Sequence, residues 1–174
     1  MRAELAGRVF ESFVVDVAFS SHSLESPDRL HGPALLAFAD ILPTEVPAIP
    51  LEQHIAEKVH AYTSVYTGGQ PSSRVKDLVD LAMIESLFSV DASRLSRAIK
   101  STFATRNTVP PPQALSPPPT EWRTPYRKMA SEVGLDPEIA IAYDRVRAFL
   151  DPVLRGALSS NATWNPASHG WQSD

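Results

Sequence analysis

Apolar and other positions alternate along SFVVDVAF, residues 12–19, with Phe13, Val15, Val17 and Phe19 on one side and Val14, Asp16 and Ala18 on the other. A period of two predicts a strand with an acid at its centre. SSHSLESPDRLHG is polar and rich in turn formers, so it reads as a loop. The following segment is broken into short extended pieces by Pro43, Pro47 and Pro50. From Leu51 the period changes. Leu51, Ile55, Val59 and Tyr62 recur at helical spacing, and Pro50 suits a helix start.

Gly68-Gly69-Gln70-Pro71 ends this first helix, and Ser72 or Ser73 is placed to cap a second. Val75, Leu78, Val79, Ala82 and Met83 give the second helix its apolar stripe, and Ser89 or Asp91 caps a third that runs to about Phe103. VPPPQALSPPP holds six prolines and reads as an extended, polyproline-like strap. Two more helices are predicted, Thr120 to Val133 with Gly134 as its stop, and Pro137 to Leu154. No strand is expected after residue 50, and the polar end SSNATWNPASHGWQSD is expected to be a flexible tail. The class is therefore α+β, divided into a β-containing part (1–50), a helical region (51–108), the strap (109–119), further helices (120–156) and the tail (157–174).

Composition narrows the function classes. A chain of 174 residues with 43% hydrophobic and 21% charged residues can bury a core of ordinary size. The net charge of -4 gives no global field for nucleic acid, so an RNA partner needs a local basic surface. Without cysteine there is neither a disulfide framework nor a thiolate metal site, which fits a cytoplasmic location. The N-terminal apolar run is broken by Glu11 and Asp16, so neither a signal-peptide core nor a membrane span is expected.

The chemistry-bearing candidates sit in EKVHAYTSVYTGGQPSSRVKDLVDLAMI, residues 57–84. Lys58 shares a helix face with His54 and Tyr62, and Arg74, Asp77 and Asp80 follow one side of the next helix at intervals of three. If the helices lie side by side, the lysine meets the carboxylates. Lysine stabilises phosphate charge, and a carboxylate orients it or holds a cation. The same spacing also fits a snorkelling lysine and helix-surface ion pairs. Arg94, Arg97 and Lys100 make one side of the third helix basic, suiting either an RNA backbone or a solvated face. The five histidines show no metal-ligand spacing, and Trp122 is expected to pack the strap onto the helices.

VPAIPLEQHIAEKVHAYT, SRVKDLVDLAMI and TFATRNTVPPPQALSPPPTEW, taken in order with the strand around Asp16, resemble the AbiEii/AbiGii toxin family over about Phe13 to Leu154. These are nucleotidyltransferase-fold proteins of bacterial toxin–antitoxin and phage-defence systems, related to the MenT toxins. The resemblance implies a partial nucleotidyltransferase-type sheet followed by a helical bundle. It implies transfer of a nucleotide from an NTP, with magnesium, to an RNA acceptor end such as that of tRNA. Lys58, with Arg74 and Asp77, would hold the NTP; Asp16, Lys58 and Asp80 would form the catalytic group, with Asp16 beside the metal; Arg94, Arg97 and Lys100 would contact RNA. A cognate antitoxin is the implied partner.

The chain departs from the family pattern at one place. It has no Asp-x-Asp pair and no Gly-rich turn before its first expected strand, and Gly68-Gly69 lies between helices. It reads as beginning after those elements, as a truncated frame, a carboxy-terminal fragment or a reduced relative. The alternative function is then an antitoxin- or RNA-binding module, with a homo-oligomer covering an open sheet edge.

Overall fold

The computed structural model describes residues 2–12, 14–15, 26–64, 74–106 and 110–173. Their fold is α+β, the class expected from the sequence. The first part holds two separate two-stranded antiparallel sheets: β1 (Arg2–Leu5) with β2 (Arg8–Ser12), and β3 (Asp28–His31) with β4 (Glu45–Ala48). Ala6 and Gly7 both have positive φ, 51° and 74°, as a two-residue hairpin turn of the mirror type requires. An Ala-Gly pair does not announce such a turn as Asn-Gly does. β1 and β2 precede the segment whose alternation predicts a strand. β2 stops at Ser12, and Val14 and Val15 follow it outside any strand. Phe13 and residues 16–25, Asp16 included, lie outside the described residues.

Among the described residues, none of this first part joins the buried apolar cluster. Phe10, Phe38 and Leu42 are 72%, 86% and 86% exposed, and every member of the buried apolar cluster lies between Ile55 and Trp164. That cluster is built by helices. Helix α1 (Leu51–Thr63) begins after Pro50 and presents Ile55, Val59 and Tyr62 inward. Helix α2 (Val75–Leu87) buries Leu78, Val79, Leu81, Ala82 and Ile84, positions covering most of its circumference, because it is central. Arg74 stands at its N-cap position and makes no side-chain capping hydrogen bond, while Ser72 and Ser73, the caps expected from the sequence, lie outside the described residues. Helix α3 (Ala92–Thr105) is capped as expected, the Asp91 carboxylate accepting from Arg94 N–H at 2.7 Å.

The proline strap is fixed at Leu115, which is buried. Its N–H donates to Asp151 (3.0 Å), its carbonyl accepts from the Tyr143 hydroxyl (2.8 Å), and Tyr62 donates to the next carbonyl, Ser116, at 2.8 Å. Trp122 packs edge-on against Tyr62, so the strap is bound to the bundle as its composition suggests. Helix α4 (Arg123–Glu132) follows a 3-10 turn and ends at Gly134, whose φ of 72° lets Leu135 N–H reach back to Ala130. Helix α5 (Ile139–Leu154) packs mainly on α2. Among the described residues no helix is long and apolar enough to cross a membrane.

The C-terminal segment corrects two expectations. It is not a flexible tail, and strands do occur after residue 50. β5 (Val90–Asp91), β6 (Thr163–Asn165) and β7 (Gly170–Gln172) form one antiparallel sheet. Trp164 is 1% exposed; its indole N–H donates to the Glu85 carbonyl at 2.7 Å, and that of Trp171 to the Phe149 carbonyl at 2.9 Å. Phe149 and the two indoles form a three-ring cluster, with centroids 4.9 Å (Phe149–Trp164), 5.7 Å (Phe149–Trp171) and 5.6 Å (Trp164–Trp171) apart. Three-residue strands are too short to show a period, so polar neighbours masked two anchoring tryptophans.

Truncation of Trp164 to alanine removes that indole from the core and leaves the Glu85 carbonyl unpaired, which should cost about 3–5 kcal/mol in urea unfolding. A loss below about 1 kcal/mol would show that the hairpin is not part of the folded unit. His60 supplies a second test. It is buried edge-on against Phe103, and its Nε2 has no partner. Burial, and then the charge of Arg106 against the weaker pull of Glu57, lowers its pKa from 6.5. The folded protein thus disfavours the imidazolium, and stability should fall as pH drops from 6.5 through the lower folded value. In His60→Leu the loss of stability between pH 7 and 5, followed by urea unfolding, should be shallower than in the wild type.

Candidate active site

Helices α1 and α2 pack side by side in the bundle. Lys58 lies midway along α1 on the side facing α2, while Asp77 occupies the first turn of α2 and Asp80 the next. The spacing of three keeps both carboxylates on one side of α2. They converge on a single ammonium group: Lys58 Nζ is 3.0 Å from Asp77 Oδ1 and 2.6 Å from Asp80 Oδ2. The sequence-predicted lysine and acid pair are therefore neighbours in space.

Burial makes this contact more than a surface pair. The side chains of Lys58, Asp77 and Asp80 are 19%, 6% and 23% exposed, so solvent screens them only in part. Burial alone would lower the lysine pKa, but the hydrogen bonds to Asp80 and Asp77 and their charges outweigh it, and the pKa is raised above 10.5. Lys58 is a fixed cation at neutral pH, not a general base. Its contribution to stability is complete below pH 10.5 and disappears only as pH rises through the higher folded value.

Arg74 stands just before α2, its Nη1 3.9 Å from Asp77 Oδ2, which is too long for a hydrogen bond. Asp77 Oδ2 is buried without a hydrogen-bond partner. The cluster thus joins two cations and two carboxylates, and retains one unused acceptor lobe. An ammonium has three N–H bonds; two serve Asp77 and Asp80, and no third ion-pair partner stands among the described residues.

The remaining predicted site residues divide. Asp16 lies outside the described residues, so its place beside the cluster is not on view. Arg94 is bound to the buried Glu52 on α1 at 3.1 Å, a partner that its helix-face spacing did not suggest. Arg97 and Lys100 lie apart from Lys58, lining a groove between α3 and the chain after α5. The basic stripe read from the sequence is therefore split, with one arginine committed to a helix–helix tie. Ser159 and Ser160 share the groove and were missed because no pattern links residues sixty positions apart.

A divalent ion would need a denser set of donors than the described part of the cluster offers. Among the described residues no group of three or more His, Asp or Glu side chains is placed to hold a metal. Asp77 and Asp80 already share the Lys58 ammonium, which offsets one of their two charges.

No curated protein matches the chain. A family model described as the nucleotidyl transferase AbiEii toxin of type IV toxin–antitoxin systems matches residues 1–162. With nearly the whole sequence covered, and with the lysine and acidic helix that carry the resemblance brought into contact, the chain belongs to the AbiEii toxin family of nucleotidyltransferase-like proteins.

Proposed function

We propose that this protein is a toxin that transfers a nucleotide from an NTP to the end of an RNA acceptor, tRNA being the acceptor class we favour. The observation that carries the reading is the half-buried Lys58 ammonium held by Asp77 and Asp80. Family membership supports nucleotidyl transfer and an antitoxin partner in general terms. In a transfer of this kind the protein mainly positions the reactants and offsets charge developing on phosphate.

In this reading Asp77 and Asp80 set the direction of the ammonium, and its third N–H donates to a phosphate oxygen of the NTP. Asp77 Oδ2 remains able to accept from a ligand hydroxyl or amino group. Arg74 adds a second cation at the same helix start, where α2 backbone N–H groups also favour an anion. A divalent ion, when bound, would supply further neutralisation of the triphosphate. No step is assigned to it, since the described donors do not form its site. Asp16 belongs to the proposal as the carboxylate nearest the metal.

One observation favours a second reading. Both acids of the cluster are occupied by Lys58, a state that suits a tie between helices as well as a site. The protein would then act as an antitoxin- or RNA-binding module without transferring anything.

The deciding assay follows radiolabelled nucleotide from each NTP, with magnesium, into a pool of tRNA. Lys58→Met should reduce transfer at least ~100-fold, the usual scale for losing a preorganised charge donor. Lys58→Arg keeps the charge and serves as the folding control; its melting temperature should stay near that of the wild type while transfer falls, because a guanidinium does not reproduce the ammonium geometry. Wild-type transfer that survives in Lys58→Met at full rate would refute the assignment. No transfer by wild type, together with NTP-independent capture of antitoxin, would establish the second reading.

A further inference from the structure

A groove of about 760 Å3 runs between α3 and the segment that follows α5. Its size falls within the ~300–1,000 Å3 of ordinary ligand sites. Arg97 and Lys100 project from α3 on one side, and Ser159 and Ser160 face them from the other. Ser93, Ser96 and Ser101 add hydroxyls, while Ala92, Val153 and Leu158 supply apolar contact. Among the described residues no acidic side chain lines it, although the whole protein carries a net charge of -4. A smaller recess of about 30 Å3 shares Ser96, Lys100 and Val153 with the groove and extends it to Pro111 in the strap.

We infer that this groove binds the sugar-phosphate backbone of a single RNA strand, with Arg97 and Lys100 on phosphates and the serine hydroxyls on phosphate oxygens. The lining decides between backbone and base. Arginine, lysine and serine are the usual contacts to phosphate oxygens. Among the described residues the groove holds no aromatic ring on which a base could stack, and no Asn or Gln amide to read a base edge. Recognition is therefore of charge and chain path, independent of sequence. The apolar side chains are suited to the faces of the riboses between phosphates.

The groove shares no residue with the Lys58, Asp77 and Asp80 cluster. Binding and transfer are thus separable by mutation. The choice of RNA over another polyanion rests on the transferase reading, while the groove's affinity for a phosphodiester chain does not.

The test is fluorescence anisotropy of the full chain with labelled 12-nucleotide RNAs of uridine or adenosine, repeated across salt concentrations. Arg97→Gln with Lys100→Gln should weaken binding at least about fivefold. It should also reduce the slope of log affinity against log salt by about 1.4, at ~0.7 per lost single-strand phosphate contact. Ser160→Glu, a loop change that leaves α3 intact, should weaken it as well. Arg127→Gln and Arg147→Gln, on α4 and α5, should bind as the wild type does, and uridine and adenosine strands should bind alike within about threefold.

The inference is overturned if the groove variants bind normally, if the α4 and α5 variants lose as much, or if the wild type does not bind. A DNA strand of the same length bound more tightly than RNA would overturn the choice of RNA. Groove-dependent RNA binding without any transfer by wild type would retire the transferase reading and leave the groove standing.

Discussion

One buried charge contact governs how this molecule can be understood. An ammonium from α1 lies between two carboxylates from α2, at 3.0 and 2.6 Å, with little solvent around any of them. Removing one partner from such a group leaves an uncompensated charge in a poorly solvated place, typically a cost of ~3–5 kcal/mol. The contact therefore fixes how α1 sits on α2. Because α2 is the central helix, touching α1, α4 and α5, that register reaches much of the bundle. The same constraint leaves a charged N–H bond and a carboxylate oxygen in defined positions. Structural and chemical roles are both consequences of one arrangement.

The helical part was legible because its signals are local and redundant. Ile55, Val59 and Tyr62 mark α1, Asp91 caps α3, and Gly134 ends α4 through a left-handed residue. The meeting of Lys58 with Asp77 and Asp80 was also readable, since a three-residue spacing fixes a side and neighbouring helices tend to pair. What the sequence hid is non-local. Trp164 and Trp171 gain their place only by closing on Phe149 and Glu85, residues some twenty to eighty positions away. Arg94 looked like part of a basic stripe, yet Glu52 from another helix claims it. The β1–β2 hairpin went unread because alanine, at the first position of its Ala6-Gly7 turn, rarely carries a positive φ.

The two halves of the chain differ in what they complete. The helices bury their apolar surface among themselves, with strap and C-terminal hairpin closing the bundle at Leu115 and Phe149. The described residues of the first fifty leave Phe10, Phe38 and Leu42 exposed. The two proposed anionic ligands, a triphosphate and an RNA strand, are assigned to separate surfaces of this bundle, one on α1 and α2 and one on α3 and the chain after α5. An overall negative protein can serve both because each surface concentrates its own cations.

The central claim is that the Lys58 ammonium is held ready for a phosphate. Nitrogen-15 NMR of lysine-labelled protein observes that group directly, before and after addition of a non-hydrolysable nucleoside triphosphate. The account predicts a protonated, slowly exchanging Lys58 Nζ signal at neutral pH that shifts as the nucleotide binds. A signal that stays in place while nucleotide saturates the protein would contradict it.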